Sequence, residues 1–313
     1  RIGSMEVGDI ILLENTRFYA EDVDLDNAPM KVQESTFMVR RLSSVVDFFI
    51  NDAFSAVHRS QPSLVGFCGV VPSAAGPLME KELKALHRIT VDPERPAIAI
   101  LGGLKVDDSI AVAENLLKGG MADRILTTGV VGSMFTWAAG YDLGAPNVNF
   151  IRQEVKGADD LLKRCRTILK EHPEKVLYPS DVALNIDGER VRITLEDLPA
   201  KGPIFDISLD TIVRYSGIIR NAKTIIANGP AGVFEMKKFS EGTVEIFRAV
   251  SDSGAYSVIG GGETNMVVKT EKLTGISHVS TGGGALIGYL SGQEMPVLEA
   301  LKRSKSRFSG DEA

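Results

Sequence analysis

The chain has 313 residues, 44% of them hydrophobic, and a formal net charge of -6. Its length allows two domains with sizeable cores. The acidic balance and the absence of a long Lys/Arg run argue against a nucleic-acid partner. The longest apolar stretches are strand-sized and the first residues lack a signal-peptide pattern, so we expect a cytoplasmic protein with no membrane partner.

The first part of the chain shows local patterns of an α/β fold. Apolar runs at residues 10–13 and 45–50 are typical of strands buried on both faces of a parallel sheet, with a helix at about 30–44 between them. Loops bearing Arg17 and Arg59 follow the two strands. Such loops bind ligands in open α/β sheets, and a guanidinium matches carboxylate or phosphate oxygens. The two arginines therefore either converge on one anion or each pair with a surface carboxylate.

A helical pattern at residues 78–87 separates this part from the rest of the chain. The glycine-proline pair at 76–77 precedes the helix, and Pro93 and Pro96 follow it. A helix bounded in this way indicates a domain boundary and a candidate hinge.

The remainder alternates between strands and helices. Strands are predicted at 97–101, 123–127, 176–178 and 224–227, helices at 134–139, 161–171 and 209–220, and a hairpin at 185–194 around Asp187-Gly188. Lys105 stands where a strand ends and a helix starts, which suits a point charge on a phosphate; the alternative is a solvated lysine. Glu235 follows a glycine turn, where it either accepts hydrogen bonds from ribose hydroxyls or remains exposed.

Two glycine triplets near the end of the chain, 260–262 and 282–284, each follow an apolar run and precede a helical pattern. Glycines let backbone N–H groups approach a ligand closely, and the next helix begins with unpaired N–H donors and the positive end of its dipole. The two triplets predict phosphate-binding loops, whereas tight turns of an α/β sheet are the structural alternative.

From about Gly8 to Leu301 the chain resembles the phosphoglycerate kinases, in a divergent, archaeal-like form. Six motifs occur in the order and spacing of that family: LLENTRF at 12–18, NDAF with HR at 51–59, ILGGLKV at 100–106, NGPAGVFE at 228–235, GGGET at 260–264 and SHVSTGGGA at 277–285. Any one glycine motif is weak, but six in register are specific.

The resemblance implies two Rossmann-like, three-layer α/β domains with parallel sheets, joined by a hinge helix about which they close. The phosphoglycerate-binding domain would comprise residues 1–76, the hinge helix 77–92 and the nucleotide-binding domain 93–292, with 293–313 returning to the first domain. The implied reaction is reversible phosphoryl transfer between 1,3-bisphosphoglycerate and ADP, giving 3-phosphoglycerate and ATP with Mg²⁺.

The resemblance also implies a role for each matching residue. Arg17 and Arg59 would hold the triose phosphate. Lys105, Gly283 and Gly284 would contact the transferred phosphoryl group. The other expected nucleotide-binding residues are Gly129, Asn228, Glu235, Gly261, Gly262, Glu263 and Thr264, and Glu263 would also serve the metal.

Several departures from the family pattern modify these expectations. Glu263 stands where an aspartate is usual, Ser109 where many members have a second lysine, and Ser208-Leu209 where a glycine-proline pair is expected. The family's first substrate motifs do not occur, so we expect an incomplete first domain and a chain that binds nucleotide but turns over poorly. The alternatives are a non-catalytic nucleotide-binding module and, with less support, an NAD-dependent dehydrogenase, whose GxGxxG unit we do not find.

Overall fold

The computed structural model describes residues 2–309; Arg1 and the last four residues of the predicted final segment, 310–313, lie outside the described residues. The chain forms two compact units. One comprises the residues up to Leu83 together with those from Gln293 onward, and the other is Lys84–Gly292. The division falls within the helix Pro77–Thr90, and the hinge role of this helix stays a prediction.

The first unit is built from short helices around two short parallel strands. Its elements, in chain order, are α1 (Ala20–Asp24), α2 (Met30–Glu34), α3 (Phe37–Ser43), β1 (Phe49–Asn51), α4 (Pro62–Val65), β2 (Ser73–Ala75) and the start of α5 (Pro77–Thr90). The last helix of the chain, Pro296–Phe308, also belongs to this unit, where the N–H of Ser73 donates to Oγ of Ser304 over 3.0 Å.

The strand predicted at residues 10–13 does not form. Ile10 and Leu12 are 93% and 97% exposed, and the segment is extended without strand pairing. A strand needs a neighbour for its backbone N–H and C=O groups. Among the described residues of this unit, β1 and β2 pair only with each other, so nothing pairs with 10–13. The run at 10–13 is apolar, but the prediction that it forms a buried strand is wrong.

The helix predicted at 30–44 is divided between α2 and α3 because a cap interrupts it. Thr36 adopts an extended backbone before α3, and its hydroxyl donates to the carbonyl of Gln33 over 2.9 Å. The carboxylate of Glu21 accepts the N–H of Phe37 at 2.7 Å, which satisfies a donor at the start of α3.

The second unit contains a six-stranded parallel sheet and a three-stranded antiparallel sheet. The parallel strands are β3 (Ala97–Leu101), β4 (Arg124–Thr127), β5 (Val176–Leu177), β9 (Thr224–Asn228), β10 (Tyr256–Gly260) and β11 (His278–Val279). The antiparallel strands are β6 (Asp181–Ile186), β7 (Glu189–Thr194) and β8 (Ile204–Ile207). The helices are α6 (Val106–Lys118), α7 (Gly129–Ala138), α8 (Ala145–Glu154), α9 (Ala158–Glu171), α10 (Leu209–Arg220), α11 (Glu241–Asp252), α12 (Gly262–Thr270) and α13 (Gly283–Leu290), and the last helix of the chain is α14.

The strands of the large sheet are in the order β11-β10-β9-β3-β4-β5. The direction in which the chain adds successive strands reverses between β3 and β9. From β3 the chain steps outward to β4 and β5, and from β9 it steps the other way to β10 and β11. Every residue of β3 and β9 is buried, as expected for central parallel strands covered on both faces. Ligands of open α/β sheets bind outside the carboxyl ends of the strands at such a reversal.

The antiparallel sheet contains the predicted hairpin. β6 and β7 pair antiparallel, with Ile186 opposite Glu189. The two turn residues between them, Asp187 and Gly188, have φ values of 51° and 82°. Positive φ at both positions is the geometry of the type I′ hairpin turn that Asp-Gly favours, so the hairpin prediction is confirmed.

Within the part of the chain that the structure describes, no helix has the length and apolar character needed to cross a membrane. The predicted α/β class with parallel sheets is confirmed.

Candidate functional site

The loops that follow β3 and β9 pack backbone against backbone. The N–H of Gly102 donates to the carbonyl of Asn228 over 2.9 Å, and the N–H of Gly103 donates to the carbonyl of Pro230 over 2.8 Å. A Cβ atom at Gly229 would lie 2.3 Å from the carbonyl oxygen of Gly102. Glycine is required there because no side-chain atom fits between the two loops.

The same close packing continues to both sides. A Cβ at Gly129 would lie 2.8 Å from the nitrogen of Gly103, and one at Gly261 would lie 3.2 Å from Oδ1 of Asn228. A Cβ at Gly283 would lie 3.2 Å from Cα of Gly261. The predicted residues Gly129, Asn228, Gly261 and Gly283 thus belong to one continuous row of loops at the carboxyl edge of the sheet.

Four helices begin in this row of loops. Their N-cap residues are Lys105 for α6, Thr128 for α7, Gly261 for α12 and Gly282 for α13. The first N–H groups of a helix have no intrahelical acceptor, and the dipole makes this end electropositive. The last residues of both glycine triplets, including Gly262 and Gly284, therefore lie in first turns that favour an anion.

Lys105 stands at the start of α6 with an exposed side chain. It forms no ion pair among residues 2–309, so its ammonium is available to an anion. Asp107 and Asp108 lie in the first turn of α6, and Arg164 of α9 pairs with Asp107 over 3.0 Å.

Several buried polar atoms near these loops have no hydrogen-bond partner in the described part of the chain. They include Oγ1 of Thr128, Oδ1 of Asn228, Oδ1 of Asn265 and Oγ of Ser109. A buried polar atom without a partner carries a desolvation cost and is a common feature of ligand sites. Thr128 and Asn265 were not identified from the sequence. Their positions beside strand ends and at a helix start are the only signal that could have indicated them.

Thr264, a predicted nucleotide-binding residue, uses its hydroxyl for a hydrogen bond within the protein. It is fully buried, and its Oγ1 accepts the N–H of Gly229 over 3.2 Å. The side chain therefore fastens α12 to the loop after β9.

A cavity of about 230 Å³ lies beside this row of loops. Its lining includes Gly103, Gly129 and Pro230 of these loops and the exposed carboxylates Glu235 and Glu263. The rest of the lining is largely apolar and includes Leu143, Phe150, Val182, Leu198, Ile207 and Val233. A mainly apolar cleft with a few polar groups is typical of sites for small organic ligands.

Asp206 is the buried charged group of the cavity wall, and sequence analysis did not identify it. Its carboxylate accepts hydrogen bonds from Arg190 at 2.9 Å, from the N–H of Gly242 at 2.8 Å and from the N–H of Ile207 at 2.9 Å. Burial raises the pKa of Asp206 to about 6, although these donors oppose the shift. The neighbouring Ser208, at the start of α10, is buried and caps this helix without a side-chain hydrogen bond.

Arg17 and Arg59 both lie in the first unit. Arg17 is exposed in a short 3₁₀ turn, Thr16–Phe18, and Arg59 is partly buried after another, Phe54–Ala56. Neither forms an ion pair within the described residues, and no contact joins the two guanidinium groups there. Beside Arg59, Nδ1 of His58 is buried without a partner, and burial followed by the charge of Arg59 lowers the pKa of this imidazole.

The chain matches the family model described as phosphoglycerate kinase over residues 1–293. It belongs to the phosphoglycerate kinase family. Among curated relatives, the phosphoglycerate kinases of Thermoplasma acidophilum and Methanothermus fervidus are each 48% identical, over 99% and 98% of this chain and 75% and 74% of their own lengths. The crystal structure of phosphoglycerate kinase from Pyrococcus horikoshii OT3 superposes with a TM-score of 0.90 and 44% identity, covering 98% of this chain and 76% of that one.

These comparisons confirm the predicted family, its archaeal-like character and the two-domain Rossmann-like fold. As a phosphoglycerate kinase, the chain is a phosphotransferase rather than a dehydrogenase. It spans about 75% of the length of the curated relatives it matches. Whether this chain turns over poorly stays a prediction.

In residues 2–309, no group of three or more His, Cys, Asp or Glu side chains is arranged to bind a metal ion. The candidate metal residue, Glu263, instead lies alone in the first turn of α12 at the cavity wall.

Proposed function

We propose that the chain transfers a phosphoryl group between 1,3-bisphosphoglycerate and ADP, giving 3-phosphoglycerate and ATP in the cytoplasm, with the nucleotide bound by the second unit. The observation that carries the proposal is the continuous row of loops in which Lys105 and the N-termini of α6, α7, α12 and α13 lie beside an apolar cavity. Such an arrangement suits a ligand with a flat apolar part and an anionic tail.

The nucleotide base would occupy the apolar cavity, with the ribose hydroxyls donating to the carboxylate of Glu235 at its wall. The phosphates would lie along the loops, against Gly129, Asn228, Gly261, Gly262 and the start of α12. The buried Oδ1 of Asn228 has no hydrogen-bond partner among the described residues, so this side chain keeps a polar atom available to the ligand. Thr264 would act indirectly, by holding α12 against the loop of Gly229.

Phosphoryl transfer requires little covalent chemistry from the protein, and catalysis depends on in-line positioning and on neutralising the equatorial oxygens. Lys105 would supply a positive charge to the transferred group, and the N–H groups of Gly283 and Gly284 would donate to it from the first turn of α13. None of these groups is a nucleophile, so the transfer would be direct.

Mg²⁺ would be held mainly by the nucleotide phosphates, with Glu263 as one protein ligand. The residues present fit this role, because Mg²⁺ in such sites keeps several waters and takes one or two carboxylates. When bound, the ion would neutralise charge on the phosphate oxygens. Glu263 makes no ion pair in the described part of the chain, so its carboxylate is available.

The phosphoglycerate would be bound by the first unit through Arg17 and Arg59. The proposal is supported by the free state of both guanidinium groups among the described residues, since an unpaired arginine retains its full capacity for carboxylate and phosphate oxygens.

Calorimetric titration of the whole chain with ADP and Mg²⁺, and separately with NAD, tests the nucleotide part of the proposal. We expect heat of binding with ADP and none with NAD. A coupled assay with 3-phosphoglycerate and ATP then tests transfer. Binding of ADP without any turnover would contradict the proposed reaction and favour a nucleotide-binding module, and absence of ADP binding would contradict both.

A further inference from the structure

Arg190 lies outside the cavity, but it joins β8, which lines the cavity, to two segments behind it. Its guanidinium donates to Oδ2 of Asp206 over 2.9 Å and to the carbonyl of Ile207 over 2.8 Å, both in β8. It also donates to the carbonyl of Lys238 over 3.1 Å and pairs with Glu241 of α11 over 3.2 Å. A planar fork with five N–H donors can satisfy these acceptors together.

The contacts of Arg190 extend through Asp206 to the loop that carries Glu235. Asp206 and Ile207 both line the cavity. A Cβ at Gly232 would lie 2.4 Å from Oδ1 of Asp206, so this loop rests directly on the carboxylate. The N–H of Val233 also donates to the carbonyl of Phe205 over 2.8 Å. Displacement of Asp206 would therefore displace the loop before Glu235.

Burial makes this arrangement dependent on the guanidinium. The Asp206 side chain is fully inaccessible, and that of Arg190 is only 18% exposed. A buried carboxylate that loses its cationic partner must take up a proton or move toward water. Either change removes a fixed hydrogen bond from the wall.

We propose that Arg190 is a positioning residue for the nucleotide, which fixes the cavity wall formed by Asp206, Ile207 and the Gly232–Glu235 loop. The inference rests on the proposed binding of nucleotide in this cavity. It concerns the base and ribose rather than the phosphates, since the phosphate loops are held by their own backbone contacts.

Arg192 provides a matched control on the same strand. Its guanidinium also pairs with two carboxylates, the fully buried Asp181 at 2.8 Å and the exposed Asp210. Neither of these carboxylates lines the cavity. Asp181 also accepts the N–H of Thr211 at 2.8 Å, so this network fastens β6 to α10.

The test compares Arg190→Lys with Arg192→Lys in the whole chain, because lysine keeps the charge but cannot reach acceptors on three elements. Binding of ADP and of inorganic tripolyphosphate is measured by calorimetry, and the melting temperature is recorded for each variant. We expect Arg190→Lys to raise the Kd for ADP by about 10-fold, through the displaced wall, and to leave tripolyphosphate binding unchanged. Arg192→Lys should leave both affinities within about 2-fold of the wild type.

Arg190→Gln, which also removes the charge, should weaken ADP binding further, and Arg190→Lys remains decisive if the glutamine variant does not fold. An ADP affinity of Arg190→Lys within 2-fold of the wild type would overturn the inference alone, as would an equal loss in Arg192→Lys. An equal loss of tripolyphosphate and ADP affinity would also overturn it. Failure of the wild type to bind ADP would instead overturn the proposed function, and the inference with it.

Discussion

The two sides of the candidate nucleotide site are held in place by different forces. On the loop side, Gly102, Gly103, Gly229 and Gly261 bring backbones into contact, and the geometry is fixed by sterics. On the wall that contains Asp206, this buried carboxylate is held by Arg190 behind it, and the geometry is fixed by a charge pair and its hydrogen bonds.

The difference predicts different sensitivities. Backbone contacts between glycines do not change with pH or salt, but they tolerate no additional atom. A buried carboxylate, in contrast, is sensitive to a change of protonation and to the loss of its cationic partner. Each side can therefore be perturbed by a change that should leave the other intact.

Gly229→Ala should have the largest effect, because it inserts a methyl group between the two central loops. Gly229 has a φ of 84°, and the new Cβ would lie 2.3 Å from the carbonyl oxygen of Gly102. Left-handed strain and overpacking together should lower the free energy of unfolding by about 4 kcal/mol. Urea denaturation measures this value, and ADP titration should show lost affinity. A wild-type affinity in a stable variant would contradict the steric account of this side.

Lys105→Ala should separate catalysis from the folding of the loop side. The lysine is exposed and makes no ion pair among residues 2–309, so its removal should hardly change stability. Loss of one charge-stabilising donor should lower turnover by about 10²- to 10³-fold. The rate relative to the wild type is measured in the coupled assay, with thermal melting as the control. An unaltered relative rate would exclude Lys105 from the transfer step.

Asp206→Asn should reveal, through its pH dependence, the electrostatic character of the wall that contains Asp206. The pKa of Asp206 is raised from 3.8 to about 6, so the folded state holds its proton more tightly than the unfolded state. Ionisation of the buried Asp206 therefore lowers the free energy of unfolding. This loss is absent below about pH 4, grows between about pH 4 and 6, and is fully present above about pH 6. The variant lacks this cost, so its stability relative to the wild type should increase by roughly 3 kcal/mol from pH 4 to pH 7. A pH-independent difference in urea denaturation would contradict the raised pKa.

The large sheet and its glycine loops could be predicted from the sequence because their signals are local. The run Ala97–Leu101 is apolar throughout and bounded by Pro96 and Gly102, and it forms β3 with these limits. Asp187-Gly188 specified the hairpin by its turn chemistry alone. The six motifs that indicated the family lie mostly in such loops, where function restricts the residue type.

Features that depend on distant partners could not be predicted. Residues 10–13 have the composition of a buried strand, but composition does not supply the neighbouring strand that pairing requires. Arg190 and Asp206 lie in strands that flank β6, and nothing in their local sequence indicates that they meet. No role was assigned to Gly102 and Gly229 from the sequence, and the structure shows that both serve the packing of one loop against the other.

Gly188→Ala should have the smallest effect. It separates left-handed backbone strain from overpacking in the destabilisation expected for Gly229→Ala. Gly188 has a φ of 82°, almost equal to the 84° of Gly229, but a Cβ at Gly188 would have nothing within 4 Å. Only left-handed strain remains, so the free energy of unfolding should fall by about 1 kcal/mol, with ADP affinity unchanged. Urea denaturation measures the loss of unfolding free energy in both variants, and the difference between the two losses is the contribution of overpacking at Gly229. Equal losses in the two variants would mean that backbone conformation, rather than contact with Gly102, makes glycine necessary between the central loops.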